Sequence, residues 1–451
     1  MAKGTMAPTG LAPILGLLVV FGAACEAVEQ DVGAAVATSP AASPSTSPTS
    51  PAVSPTTGAA AHAGLLYGRI TTDDGEVYEG RLRWAGDEEA LWSNYFNGFK
   101  DDNPWVAHAP LDQLPTERLS IELFGLEIIG WERRFDLGRP FMARFGDIAL
   151  IEPRGRRLRV TLKSGTVFDL DRFAADDVAD GVRVWDRTRG VVDLGEWGIR
   201  TIEFLPAATL GDVPYPLYGT VRTRQGDFTG LVQWDREACL GSDELHGLTP
   251  EGEATVRFDR IHSIERRSED SSLVTLLDGR QIVLSGTRQV GLGNRGVYVD
   301  DPRYGRVLVS WDAFERLDFS PGGAGPAYRD FPAGRPLEGS VTARSGRRLT
   351  GRLVYDLDES ETTETLDAPA HGVDYTIPFS LVASIALPDL DGRGAQPATV
   401  TLHHGEELQL ELAGDLSERN AGMLVFSEGG SQPEYVPWSD VETVDFDRPL
   451  R

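Results

Sequence analysis

The sequence predicts an all-β fold of three tandem repeats, each made of two small β-barrel or β-sandwich halves, after a disordered linker. From Leu65 onward, apolar and polar residues alternate and are interrupted by Gly, Asp and Pro. This is the period of half-buried β-strands, and sustained helical periodicity is nearly absent. One motif is also repeated three times, as LYGRITTDDGEVYEGRLRW from Leu66, LYGTVRTRQGDFTGLVQW from Leu217 and LEGSVTARSGRRLTGRLVY from Leu337. Such repetition indicates a duplicated structural unit.

Length and charge limit the classes of partner. The chain has 451 residues, which is enough for two to four domains. Its formal net charge is −26 although the charged fraction is an ordinary 25%, because carboxylates replace Lys and Arg. A surface of this kind repels phosphate backbones and anionic lipid headgroups. We therefore expect no nucleic-acid partner and no peripheral binding to acidic membranes.

The N-terminal residues 1–24 have the layout of a secretory signal peptide. Lys3 precedes an apolar run, Leu11–Phe21, and small residues follow that run. The run is too short to span a bilayer as a mature helix, and no later stretch of about 20 apolar residues occurs. The folded part is therefore expected to be exported and soluble.

Cys25 directly follows Gly22, Ala23 and Ala24. This run resembles the lipobox of bacterial lipoproteins, in which the Cys is lipidated and becomes the new N-terminus. Gly22 stands where a lipobox usually has Leu, so ordinary cleavage after Ala24 or Ala27 is the alternative. The resemblance implies lipidation at Cys25 and, since Glu26 rather than Asp follows, a place in the outer membrane. Without the lipid, the protein would be periplasmic or secreted.

Residues 25–64 are rich in Pro, Ser, Thr and Ala and contain almost no large apolar residue. Such a segment cannot bury enough surface to offset its ordering entropy. It is predicted to be a disordered linker that holds a folded body away from an anchor. The body divides into repeats at 65–208, 213–321 and 334–448.

Each repeat opens with a predicted β-hairpin. The three copies align at these positions: Gly68, Gly219 and Gly339; Gly75, Gly226 and Gly346; Gly80, Gly230 and Gly351; Trp84, Trp234 and Tyr355. The second glycine suits the positive φ of a tight turn, and the third indicates a bulge or a strong bend in the second strand.

Two further motifs follow the hairpin in every repeat. One begins ARFGDIALIEP at Ala143, VRFDRIHSIER at Val256 and TIPFSLVASIAL at Thr376. The other begins LRVTLKSGTVFDL, SLVTLLDGRQIVL or ATVTLHHGEELQL and closes with EWGIRTIEF, SWDAFERLDF or PWSDVETVDF. Each repeat thus has two halves of about five short strands, which suits small barrels.

The first half of each repeat resembles the Sm-like, or more broadly SH3-like, small barrel. In the second repeat, Gly226, Gly230, Val232, Asp235 and Leu245 are similar to the first Sm motif. Asn294-Arg295-Gly296 is similar to the Arg-Gly of the second motif, but no Asn follows Asp235 to grip a base. The resemblance implies a barrel fold and does not imply RNA binding.

The first repeat carries an additional segment at 93–138. It is rich in aromatic residues, which on a projecting loop form a candidate binding surface for an envelope protein or a glycan. The alternative is that they pack against the open end of the first barrel or form a strand pair of their own. The candidate residues are Tyr95, Phe96, Phe99, Trp105 and Trp131.

No residue pattern indicates catalysis, a metal site or a cofactor. Acidic turns follow the first hairpins, at Asp87–Glu89, Asp235–Glu244 and Asp356–Glu361, but their spacing does not match a calcium loop. Solvated acidic loops are the favoured interpretation. No H-E-x-x-H, C-x-x-C or G-x-S-x-G motif occurs.

The sequence therefore favours a non-enzymatic envelope protein that acts as a binding or scaffold module. The alternative is a carbohydrate- or cell-wall-binding protein, and a hydrolase is the third possibility, since paired carboxylates could meet in an acid-rich chain.

Overall fold

In the described residues, regular structure consists of β-strands and short 3₁₀ helices, without an α-helix. This confirms the predicted all-β fold. The structure, a computed structural model, describes residues 63–448 with gaps at 85–87, 94, 111, 115, 124–125, 135–138, 173–180, 208–213, 323–324, 389–395 and 431, and without the side chains of 116–134 and Arg139. The predictions for residues 1–24, for Cys25 and for the linker up to residue 62 lie outside this part of the chain.

The first repeat contains twelve strands in its described part. They are β1 (Tyr67–Thr72), β2 (Val77–Trp84), β3 (Tyr95–Lys100), β4 (Thr116–Leu123), β5 (Leu126–Arg134), β6 (Arg139–Arg144), β7 (Ile148–Arg154), β8 (Arg157–Leu162), β9 (Val167–Asp171), β10 (Val182–Asp186), β11 (Gly190–Leu194) and β12 (Ile199–Phe204).

The second and third repeats contain ten strands each where they are described. Those of the second are β13 (Tyr218–Thr223), β14 (Gly226–Trp234), β15 (Glu244–Thr249), β16 (Gly252–Arg257), β17 (Ile261–Ser268), β18 (Ser271–Leu276), β19 (Gln281–Ser285), β20 (Val297–Asp301), β21 (Gly305–Val309) and β22 (Phe314–Phe319). Those of the third are β23 (Glu338–Ala343), β24 (Arg348–Val354), β25 (Thr365–Ala370), β26 (Val373–Pro378), β27 (Val382–Ala386), β28 (Ala398–Leu402), β29 (Glu407–Leu410), β30 (Met423–Phe426), β31 (Glu434–Val436) and β32 (Val441–Phe446).

Short 3₁₀ helices connect several strands. Three equivalent ones precede β7, β17 and β27, at Phe145–Asp147, Phe258–Arg260 and Phe379–Leu381. The others lie at Val106–His108, Glu196–Gly198, Arg288–Val290, Tyr328–Asp330, Gly414–Leu416 and Trp438–Asp440.

The first two repeats share one strand order, and the third keeps eight of its ten strands in that order. Apart from β4 and β5, each has ten strands that we letter a to j: β1–β3 with β6–β12, then β13–β22, then β23–β32. In the first two repeats, these strands form a sheet in the order i-h-b-a-j-e-f-g-c-d. The third repeat keeps the order from i to g, while its c–d hairpin pairs through β26 with β21, strand i of the second repeat.

The two halves predicted for each repeat are intermixed in the sheet. Strand b of the first half pairs with strand h of the second, and the closing strands e and j pair with each other at the centre. The order therefore groups a, b, h, i and j on one side and c to g on the other. In the described residues, no pairing of i with j or of d with e closes either group. The repeated motifs identify which strands are equivalent, but they do not specify which strands pair. The sequence analysis therefore did not predict that strands b and h, which belong to different halves, are neighbours.

The additional segment of the first repeat begins later than predicted. Residues 95–100 and 139–144 are strands c and d, so only residues 101–138 lack an equivalent. In the second repeat, two residues, Pro250 and Glu251, join the same strands. Within the segment, β4 and β5 form a separate two-stranded sheet.

The aligned aromatic residues at the end of strand b form the centre of each core. Trp84, Trp234 and Tyr355 are at most 1% exposed. Trp84 and Tyr355 contact the phenylalanine of the 3₁₀ helix before strand e, with ring centroids 5.7 and 5.2 Å apart. Burying such large rings stabilises each repeat through apolar area and aromatic packing.

The glycines aligned from the sequence have two structural roles. Gly75 and Gly346 lie in the turn with φ of +86° and +81°, which confirms the prediction for the first and third repeats, whereas Gly226, with φ of +153°, is the first residue of β14 and pairs with Thr223. The third set does not lie at a bulge, since the pairing of strands a and b runs through it without a shift of register. Its residues instead let strand h approach closely, because a Cβ on Gly80 would lie 2.0 Å from the carbonyl oxygen of Trp185.

Candidate functional site

The predicted aromatic surface is divided between the interior and the exterior. Tyr95 and Phe96, on strand c, are 2% and 0% exposed, and Phe96 packs against Trp84. Phe99 is 50% exposed. The side chain of Trp131 lies outside the described residues. Of the four candidates whose side chains are described, only Phe99 presents a large exposed surface.

Trp105 connects the additional segment to the third repeat. Its ring lies 5.9 Å from the ring of Phe426, edge to face, and the guanidinium of Arg352 lies 4.3 Å from the Phe426 centroid. Ala109 and Leu114 are buried in the same apolar cluster, together with residues of the third repeat. These residues of the segment therefore pack on the third repeat, whereas the alternative interpretation placed them at the open end of the first barrel.

Strand c continues this connection through a buried ion pair. The Lys100 ammonium lies 2.6 Å from the carboxylate of Asp358 and 2.9 Å from that of Glu364, and its side chain is 4% exposed. Both acidic residues belong to the third repeat. An ammonium buried to this extent requires such partners, because an isolated charge is costly to desolvate.

Each acidic turn contains at least one buried residue, so the turns are not the fully solvated loops that we expected, although Glu244 is exposed. Glu89, Asp235 and Asp358 are 6%, 0% and 6% exposed, and each is paired with a cation. The reason is that the turn after strand b packs against other parts of the fold instead of projecting. No group of three or more His, Cys, Asp or Glu in the described residues has an arrangement that could hold a metal ion.

The residues that resemble Sm motifs meet in the fold. The Asp235 carboxylate accepts a hydrogen bond from the Arg295 amide at 2.8 Å, and the Arg295 guanidinium donates to the Asp235 carbonyl oxygen at 2.7 Å. The Asn294 side chain accepts from the Gly296 amide at 2.8 Å. These contacts join the end of strand b to the start of strand h. The polar atoms that form them therefore stabilise the fold.

A wide cleft on the second repeat is the strongest candidate site that the sequence analysis missed. Its volume is about 700 Å³, within the range of small-molecule sites. It lies where strands a, j and e meet, at the ends of β13 and β17 and the start of β22. Five arginines line it, with four acidic residues and Ser268 and Phe314: Arg222, Arg224, Arg266, Arg267 and Arg316, and Glu265, Glu269, Asp312 and Glu315.

Two of these arginines are held in place by the protein. The Arg316 guanidinium lies 2.8 Å from the Glu265 carboxylate and 2.7 Å from that of Asp318, and the hydrogen bond from Arg316 lowers the pKa of Asp318. The Arg266 guanidinium donates to the carbonyl oxygens of Trp311 and Asp312, at 2.9 and 3.0 Å. Both guanidinium groups are therefore positioned before any ligand binds.

The other three arginines make fewer contacts with the protein. Arg222 is 3.2 Å from the Asp318 carboxylate, and Arg224 is 3.5 Å from that of Glu315 with 86% of its side chain exposed. Arg267 is exposed and has no ion-pair or hydrogen-bond partner among the described residues. Since a guanidinium has five N–H donors, these side chains retain donors for a ligand.

Three of the five arginines, Arg222, Arg266 and Arg316, are specific to the second repeat, whereas Arg224 corresponds to Arg344 of the third repeat and Arg267 to Arg154 of the first. Arg222 and Arg316 are paired residues on strands a and j, and both structurally equivalent positions hold threonine in the first repeat (Thr71 and Thr201) and in the third (Thr342 and Thr443). Arg266 corresponds to Pro153 and Leu387. A position-by-position comparison of the aligned repeats would have revealed these differences in the sequence.

Comparisons of the chain with protein-family profiles, with curated proteins and with solved structures each return no match. No helix in the described part of the chain has the length and apolar composition needed to cross a membrane.

Proposed function

We propose that the protein is a non-enzymatic, exported envelope protein that acts as a binding or scaffold module through its tandem β repeats. The observation that carries this proposal is the arginine-lined cleft, whose facing pair Arg222 and Arg316 is replaced by pairs of threonine in the other two repeats. All three repeats share the same strands, and the second repeat adds charged side chains to them. This is the division of roles expected of a scaffold with a binding surface.

We also propose that the five-strand groups curve into small, partly open barrels of the SH3-like or Sm-like kind. In the group a, b, h, i and j, the last strand in the chain lies beside the first. The close approaches at Gly80, Gly230 and Gly351 support strong curvature of strand b, which a small barrel requires.

The binding proposal is tested by crosslinking in intact cells, followed by affinity capture and mass spectrometry. The full chain is compared with the double variant Arg222→Thr/Arg316→Thr, which gives the second repeat the residues of the other two. A defined envelope component that is recovered with the full chain and lost with the variant would support the proposal. Recovery of no specific component with the full chain would contradict it.

Export and lipidation are part of the same proposal. Labelling of cells with a palmitate analogue is expected to mark the full chain and not the Cys25→Ser variant. An unlabelled, soluble periplasmic protein would instead indicate cleavage after Ala24 or Ala27.

One observation favours a carbohydrate- or cell-wall-binding protein as the second candidate. Trp197 is 64% exposed, whereas the aligned Trp311 and Trp438 are 4% and 8% exposed. The guanidinium of Arg172 lies 4.5 Å from the Trp197 ring. Arg172 is 7% exposed and donates to the carbonyl oxygens of Gly155 and Glu196, so it holds the Trp197 ring in place, and the exposed surface of that ring suits stacking on a sugar. Retention on insoluble peptidoglycan that is lost in Trp197→Ala would favour this candidate, and equal retention of the variant would argue against it.

A further inference from the structure

The pairing of Arg222 with Arg316 carries an inference about the ligand. Like charges directly opposite each other on neighbouring strands destabilise a sheet, whereas threonine pairs stabilise it. The first and third repeats have threonine at both positions, so the fold does not require the arginines. The carboxylates of Glu265 and Asp318 compensate part of the repulsion between the two guanidinium groups. Glu265 lines the cleft, and Asp318 borders it. Charged side chains at positions where the other two repeats have threonine indicate a role outside folding.

We infer that this cleft binds a small ligand through one oxyanion group, either a phosphate or a carboxylate. Planar guanidinium groups donate paired N–H bonds that match the oxygens of both groups. Arg316 and Arg266 are fixed by protein acceptors, while Arg222, Arg224 and Arg267 retain free donors at the mouth of the cleft. This inference rests on the proposed binding function and names the chemistry of its ligand.

The charge of the whole chain limits the size of this ligand. With a formal net charge of −26, the remaining surface repels an extended polyanion, while the five arginines and four carboxylates of the lining leave one net positive charge in the cleft, which attracts a single anionic group over a short distance. The four acidic residues of the lining also exclude a second anionic group close to the first. The cleft therefore suits a small molecule, or the end of a larger one, with one anionic group.

The test uses the purified full-length mature protein and titration calorimetry with two separate probes, inorganic phosphate and acetate. We expect saturable binding of at least one probe, and the probe that binds identifies the phosphate or the carboxylate class. The Arg222→Thr/Arg316→Thr variant is expected to weaken this binding by about 10- to 100-fold, since the loss of a hydrogen bond to a charged group lowers affinity by a factor of that order. The melting temperature of this variant should not fall, because threonine pairs occupy the equivalent positions in the other two repeats.

Two further variants make the result decisive. Arg280→Gln, on an exposed arginine of the same repeat outside the cleft, is the matched control and should bind like the unaltered protein. Arg267→Gln, on a side chain without a protein partner, should weaken binding even if the double variant does not fold. The inference is overturned if neither probe binds saturably, or if binding is the same in Arg267→Gln as in the control. Because the measurement needs only purified protein, its failure is distinct from a failure to capture an envelope component.

Discussion

At the residue scale, paired glycines determine how closely the strands of each repeat can approach. Gly219 lies opposite Gly230 on strands a and b, and the equivalent pairs are Gly68 with Gly80 and Gly339 with Gly351. A Cβ on Gly230 would lie 2.0 Å from the carbonyl oxygen of Asp300 on strand h. This distance is far inside van der Waals contact, and the obstructing atom is backbone that cannot rotate away.

The Gly230→Ala substitution is therefore expected to destabilise the protein by about 1–3 kcal/mol, the usual cost of overpacking. Denaturant unfolding followed by tryptophan fluorescence measures the change. Gly195→Ala is the control, because Gly195 has φ of −70° and no atom within 4 Å of its Cβ position. Equal stability of the two variants would show that strand h can move away from strand b.

A buried carboxyl group makes stability depend on pH. Burial raises the pKa of Asp300 to about 6, although the guanidinium groups of Arg144 and Arg306 act in the opposite direction. A carboxyl whose pKa is higher in the folded state stabilises the fold below its unfolded pKa, near 4. That contribution is lost as the pH rises through 6.

The Asp300→Asn variant should therefore be more stable than the unaltered protein above pH 6, by at most about 3 kcal/mol, and should lack the decline between pH 4 and 6. Urea unfolding at a series of pH values measures this. Asp278→Asn serves as control, because a hydrogen bond from Arg280 lowers the pKa of Asp278 and places its effect below pH 4. Identical pH profiles for Asp300→Asn and the unaltered protein would contradict the prediction.

At the element scale, strand c of the first repeat is anchored to the third repeat by Lys100. Replacing Lys100 by Met leaves the carboxylates of Asp358 and Glu364 buried without their cation, which typically costs about 3–5 kcal/mol. Thermal unfolding monitored by circular dichroism should show a clear fall in melting temperature. The exposed pair of Arg280 and Asp278 is the comparison, and its removal in Arg280→Gln should leave the melting temperature unchanged. A small effect for Lys100→Met would mean that solvent reaches the carboxylates.

The additional segment contains two parts that should differ in their effect on stability. Residues 101–114 include Trp105, Ala109 and Leu114, which pack on the third repeat. Strands β4 and β5 form a separate two-stranded sheet, and an isolated hairpin adds little stability. Replacing residues 116–134 by a short Gly-Ser turn should therefore keep the melting temperature, whereas replacing 101–138 should lower it. A large loss in the first deletion would show that the hairpin has a structural role.

The sequence predicted the elements better than their pairing. The hairpin of strands a and b, the Phe-containing turn before strand e and the closing strand j were each visible as repeated motifs, because glycines and large apolar residues recur at fixed spacing. The pairing of strand b with strand h was not visible, since it joins residues about 100 positions apart in the first repeat, such as Trp84 and Val182. Burial of the acidic turns also depends on distant partners such as Lys100. The arginine-lined cleft was missed because its residues come from three separate strands.

At the scale of the whole molecule, every pair of repeats is in direct contact. The guanidinium of Arg306, in the second repeat, lies 3.7 Å from the ring of Tyr95 in the first. Strands β21 and β26 join the second repeat to the third, and Lys100 joins the third to the first. The segment between the second and third repeats also contributes, since Phe331 is buried in the core of the first repeat. No repeat can unfold without exposing surface on both of the others.

The chain is consequently expected to unfold as one cooperative unit, although its length would allow three independent domains. Calorimetry should give a single transition whose van't Hoff enthalpy is close to the calorimetric enthalpy, whereas three independent repeats would give a ratio of about one third. Lys100→Met weakens one of the three junctions and should broaden the transition or separate the first repeat from it. Three resolved transitions in the unaltered protein would show that the junctions are too weak to couple the repeats. A single transition would mean that a loss of stability in one repeat, including any change at the arginine-lined cleft, lowers the stability of the whole molecule.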